Sequence, residues 1–148
     1  MRRFPKPKPF KPKNPSKYVG DVHKIICRSG IELRYMKYFD ETTAVTKWAS
    51  EKIVIPYVNP LDGQVHRYFP DFMVQILTKG QKRNYLIEIK SSGDTVQPVK
   101  GKRASKTFIT EQATWSVNNA KWKAAKAFCA KHNMTFMVLT EKEIKFKF

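Results

Sequence analysis

Three charged residues interrupt segments that otherwise read as apolar strands. Asp71 lies in Tyr68-Phe69-Pro70-Asp71-Phe72-Met73-Val74, and Glu88 and Lys90 lie in Tyr85-Leu86-Ile87-Glu88-Ile89-Lys90. Alternation along a strand puts Leu86, Glu88 and Lys90 on one face and Ile87 and Ile89 on the other. A buried charge without a partner costs on the order of several kcal/mol, so such residues demand a reason. Asp71 and Glu88 are 17 positions apart across a short turn. Their strands can therefore pair and bring two carboxylates and one ammonium together. Hard oxygen donors from Asp71 and Glu88, with the Ile89 carbonyl as a backbone ligand, suit Mg²⁺, with Mn²⁺ as a substitute. Lys90 beside that ion and a phosphate would orient an attacking water, help remove its proton and stabilise the developing charge.

A fourth carboxylate comes from a helix. Ser29 is an N-cap for a segment running to about Asp40, and Glu32 stands in the capping-box position. At helical spacing Arg28, Glu32, Tyr35, Met36 and Phe39 share one side, so Glu32 points with the apolar stripe towards a sheet. There it would bind the metal directly or through water, and Arg28 would neutralise a phosphate or anchor Glu32. Each residue also has a plainer reading. Glu32 can serve only as a cap, Glu88 and Lys90 can alternate on an exposed edge strand, and Asp71 can be a turn residue set by Pro70. It is their order, each inside an apolar element, that points to a site.

The elements that must position these groups follow from the same pattern. Strands are expected over Lys52–Val58, Arg67–Leu77, Asn84–Ser91 and Met134–Thr140, with turns at 59–63 and 78–81. Periodicity lapses around Thr42–Lys47, residues 92–104 read as loop, and a second helix is expected over Asn118–His132. The sum is a small α/β domain over residues 18–148, a central mixed four-stranded sheet flanked by helices. Residues 1–17 carry seven basic residues, five prolines and no acid, which predicts a flexible, polyproline-like arm.

Composition limits the partners. The 148 residues hold 29 Lys+Arg against 12 Asp+Glu, a formal charge of +17, and removing the arm leaves +10 on the remainder. Such a chain gathers polyanions, and DNA is the expected partner. Arg28, Arg67, Lys100, Lys102, Arg103, Lys106 and Lys121 are candidates for binding its backbone. Trp115 and Trp122 have the option of stacking on bases, although core packing is the plainer role, as a surface role is for His66. No apolar run reaches the ~18 residues of a membrane span, and no glycine-rich phosphate loop or His/Cys cluster is present. Cys27 and Cys129 read as small buried hydrophobes.

Glu32, Pro70-Asp71 and Glu88-Ile89-Lys90 together resemble the signature of the PD-(D/E)XK nuclease superfamily, which implies a restriction-endonuclease-like fold and Mg²⁺-dependent cleavage of nucleic acid. On that resemblance Glu32, Asp71, Glu88 and Lys90 are the catalytic residues, and cutting leaves 5′-phosphate and 3′-hydroxyl ends. A longer likeness runs through Asn14-Pro15-Ser16-Lys17-Tyr18-Val19-Gly20, Arg28-Ser29-Gly30-Ile31-Glu32, His66-Arg67-Tyr68-Phe69-Pro70-Asp71-Phe72 and Asn119-Ala120-Lys121-Trp122. These stretches are similar to the head completion nucleases of large contractile-tailed phages. Ile31 and Ser91 depart from that family, which has a bulky aromatic and a proline there. The resemblance implies work in the cytoplasm of an infected bacterial host after DNA packaging, with portal or neck proteins as further partners and retention in the virion left open. Two other functions share the charge: a non-catalytic basic head or neck protein, and a structure-specific endonuclease cutting junctions. The sequence does not fix the oligomeric state.

Overall fold

The computed structural model describes residues 3–99, 101 and 105–145. In chain order the elements are β1 (Arg3–Pro9), β2 (Ile26–Ser29), α1 (Gly30–Glu41), β3 (Val45–Ser50), β4 (Ile55–Val58), β5 (Val65–Tyr68), β6 (Phe72–Thr78), β7 (Gln81–Ile89), α2 (Lys106–Lys131) and β8 (Met134–Leu139). The central sheet runs β3-β6-β7-β8. Its first three strands are antiparallel, and β8 lies parallel to β7 after the α2 crossover. This is the expected mixed four-stranded sheet with helices on its faces, but one of its members differs.

That member is β3, which fills the stretch where periodicity lapses. The register slips between Val45 and Lys47, so Val45 faces Ile76 while Lys47 already faces Gln75. An extra residue at such a bulge breaks the alternation by which a strand is recognised. Beyond it Trp48 and Ala49 are both fully buried. The strand expected over Lys52–Val58 is only Ile55–Val58, and it pairs with β5 in a separate hairpin outside the sheet. Arg67–Leu77 is likewise not continuous. It breaks at Phe69-Pro70-Asp71 between β5 and β6, because Pro70 has no N–H to carry a ladder onward.

Each face of the sheet packs against one helix. Tyr35, Met36 and Phe39 of α1 pack with Trp48, Phe72, Val74, Ile87 and Ile89. On the other face Ala125 and Cys129 of α2 join Leu86 and the hairpin residues Ile55, Tyr57 and Tyr68. The Ser29 hydroxyl accepts from Glu32 N at 3.2 Å, so α1 starts where its cap predicts. In contrast, α2 starts twelve residues before the expected Asn118, capped by Ser105, whose hydroxyl accepts from Phe108 N. Cys27 and Cys129 are buried free thiols.

The amino-terminal segment differs most from expectation. Instead of a free arm, Arg3–Pro9 pairs antiparallel with β2. Proline suits such an edge strand because its fixed φ is already extended. Phe10 then anchors the segment. Its N–H donates to Ile25 O at 3.0 Å, and its ring meets Trp48 edge-on at 5.9 Å. Further on, the Asp40 carboxylate accepts from Lys13 N at 2.7 Å and Asn14 N at 3.0 Å. Lys17 Nζ closes the clasp by donating to the Asp40 and Thr42 carbonyls. One aromatic anchor and one acid on α1 outweigh the proline content.

Candidate active site

The break at Pro70 places Asp71 just ahead of β6. Phe72 pairs with Ile87, so Asp71, one step earlier, lies alongside Glu88 and Ile89. One Asp71 carboxylate oxygen accepts from Ile89 N at 2.7 Å, and the Asp71 carbonyl accepts from Glu51 N at 3.0 Å. Main-chain bonds thus hold this half-buried aspartate from two neighbouring segments. Glu88 is 8% exposed. One of its oxygens accepts from the Tyr68 hydroxyl at 2.7 Å, and the other lies 3.5 Å from Lys90 Nζ. The sheet therefore does bring Asp71, Glu88 and Lys90 to one place.

Glu32 reaches the same neighbourhood from α1. It is 4% exposed, and its carboxylate accepts from Arg28 N at 3.1 Å, one residue upstream of the reciprocal bond in a capping box. Its anion and that of Asp71 repel each other. Burial pushes the Asp71 carboxyl well above the usual range, and the Glu88 charge pushes it further, against the pull of Ile89 N–H and Lys90. Glu32 is raised chiefly by burial as well.

These raised values describe carboxylates that lack enough positive charge. A cation between Asp71 and Glu88 would relieve both the burial cost and the mutual repulsion, and two carboxylates with a carbonyl are a donor set that fits Mg²⁺. Among the described residues no three Asp, Glu, His or Cys side chains form a metal-holding group.

The expected phosphate-binding residues separate into groups. Arg28 is engaged with Glu51 at 3.2 Å and anchors Glu32 through its main chain rather than its guanidinium. Arg67 is exposed on the hairpin, its guanidinium 5.7 Å from the Phe69 ring, and Lys106 is exposed at the start of α2. Lys100, Lys102 and Arg103 lie outside the described residues. Lys121 is brought to the site: its ammonium stands 5.6 Å from the Tyr68 ring and 5.8 Å from that of Tyr57. Burial lowers its pKa, while the Glu88 and Asp71 charges raise it. His66 pairs with Asp62 at 2.7 Å, away from the carboxylates.

Tyr68 and Glu51 are additions that the sequence pattern does not disclose. Tyr68 is 4% exposed, and burial beside the Glu88 charge holds its hydroxyl protonated as a donor. Glu51 has left-handed backbone, φ 50°, uncommon for a residue with a side chain. That turn directs its N–H onto Asp71 and its carboxylate onto Arg28.

Comparison with known proteins gives a consistent result. Residues 42–141 match the family model described as TnsA-like endonuclease N terminal, a span that holds Asp71, Glu88 and Lys90 and begins after Glu32. The chain is also similar to the head completion nuclease of Enterobacteria phage T4, 41% identical over 134 residues, covering 88% of this chain and 87% of that protein. No solved structure matches the chain.

Proposed function

The chain belongs to the TnsA-like endonuclease family, and from that premise we propose a Mg²⁺-dependent DNA endonuclease that acts in completing phage heads after packaging. The observation that supports the chemistry most is the adjacency of the buried Glu88, the main-chain-locked Asp71 and Lys90. Asp71, Glu88 and the Ile89 carbonyl would hold the ion, which when bound balances their charge and accepts a phosphate oxygen. Ile89 N–H keeps Asp71 oriented, and the Tyr68 hydroxyl does the same for Glu88. Lys90 positions the attacking water and offsets charge on the phosphate as the P–O bond breaks. Glu32 would hold a water from the helix side.

The head-completion role rests on likeness to the phage T4 protein over most of both chains. Host cytoplasm is the corresponding place of action, and portal or neck proteins are the corresponding partners. Incubating the purified protein with supercoiled plasmid and Mg²⁺ tests the catalytic part. Nicked and linear DNA is the expected product, lost in EDTA and in Lys90→Ala. Plasmid left intact with Mg²⁺ and Mn²⁺ alike would overturn the nuclease proposal.

A further inference from the structure

Beside Lys90 a cleft of about 520 Å³ opens between the 93–99 segment and the first half of α2. Its α2 wall carries Thr110, Thr114, Trp115 and Asn118. The half-buried Trp115 ring is braced edge-on by Trp122 at 6.3 Å and 88°, so it is a fixed wall and not a loose surface group. Asn118 is 7% exposed and lies in the wall of the cleft. Asn118 shares its helix face with Lys121, Ala125 and Cys129, at steps of three, four and four, so packing of α2 on the sheet holds it there.

The charge of the cleft selects what can enter. Asp94 and Glu111 also line it, and their carboxylates disfavour a phosphate in the interior. A flat, neutral group bearing both hydrogen-bond donors and acceptors matches the Trp115 wall and the Asn118 amide. Nucleobases are such groups: they stack on tryptophan, and an asparagine amide pairs with a base edge through two hydrogen bonds. Lys90 at the cleft would leave the phosphate attached to that base near the carboxylates.

We propose that this cleft receives a single unstacked nucleobase flanking the scissile phosphate, so that the enzyme favours DNA with unpaired bases over continuous duplex. The inference rests on the nuclease reading for its substrate. A base within duplex has its pairing edge occupied and must leave the stack to reach Asn118. Frayed ends, flaps and gaps have already met that cost.

Binding of a fluorescein-labelled 12-nucleotide single strand and of the matching blunt duplex, in EDTA at fixed salt, tests the assignment. The full-length protein should hold the single strand more tightly. Asn118→Leu and Trp115→Ala should each weaken single-strand binding roughly tenfold and leave duplex binding within about twofold, with Trp115→Tyr restoring most of the loss. Thermal melting checks that each variant is folded. Equal affinity for both DNA forms, or equal losses on both in the variants, would overturn the base pocket. A parallel plasmid digestion with Mg²⁺ reports separately on the nuclease reading, since EDTA binding requires no cleavage.

Discussion

At the scale of single residues, the site is a charge imbalance held in place by main-chain bonds. Asp71→Asn keeps an oxygen for Ile89 N while removing the anion, so cleavage should fall on the order of a hundredfold or more. The same change should raise the melting temperature in EDTA and abolish any rise on adding Mg²⁺, because an uncompensated buried charge has gone. The pH dependence comes from the direction of the shifts. Asp71 and Glu32 titrate above the usual carboxylate range when folded. Above about pH 4 the unfolded chain releases protons that the folded chain retains, so this contribution to stability declines as pH rises through that window. The melting advantage of Asp71→Asn over the parent in EDTA should therefore grow from pH 4 to pH 7, and an unchanging difference would contradict the raised Asp71 value. Tyr68→Phe removes the donor that orients Glu88. The Mg²⁺ needed for half-maximal cleavage should rise roughly ten- to a hundredfold, with maximal rate less affected.

At the scale of elements, two strands present opposite lessons. The amino-terminal strand is a structural member, so Phe10→Ala should cost about 3 kcal/mol in urea denaturation by opening the pocket against Trp48. A truly free arm would tolerate that change. Seen from sequence alone, Pro-Lys alternation argues against burial, and nothing local reveals that Ile25 O and the Asp40 carboxylate wait as acceptors. The β3 strand is hidden differently, by a bulge that puts its inward residues out of step. Glu32, Asp71, Glu88 and Lys90 are legible because each violates an otherwise regular apolar pattern. Tyr68 and Asn118 are not, since a tyrosine at a strand end and an asparagine in a helix are common, and only packing shows what they face.

At the scale of the whole molecule, the +17 charge governs encounter with DNA, and the site governs the cutting step. Affinity for duplex should fall steeply with salt, the log–log slope giving about one unit per phosphate neutralised. Arg67→Ala, on the exposed hairpin, should reduce that slope by about one unit while leaving the cleavage rate of bound DNA unchanged. A slope unaffected by the change would remove Arg67 from the DNA-binding surface. The pairing of Arg3 with Ser29 also has a practical side. Strand β2 leads straight into the helix that carries Glu32, so a purification tag fused ahead of Arg3 would emerge next to the cutting centre. Assays made with such a fusion risk measuring the tag's obstruction, and a tag cleaved off before the assay removes that risk.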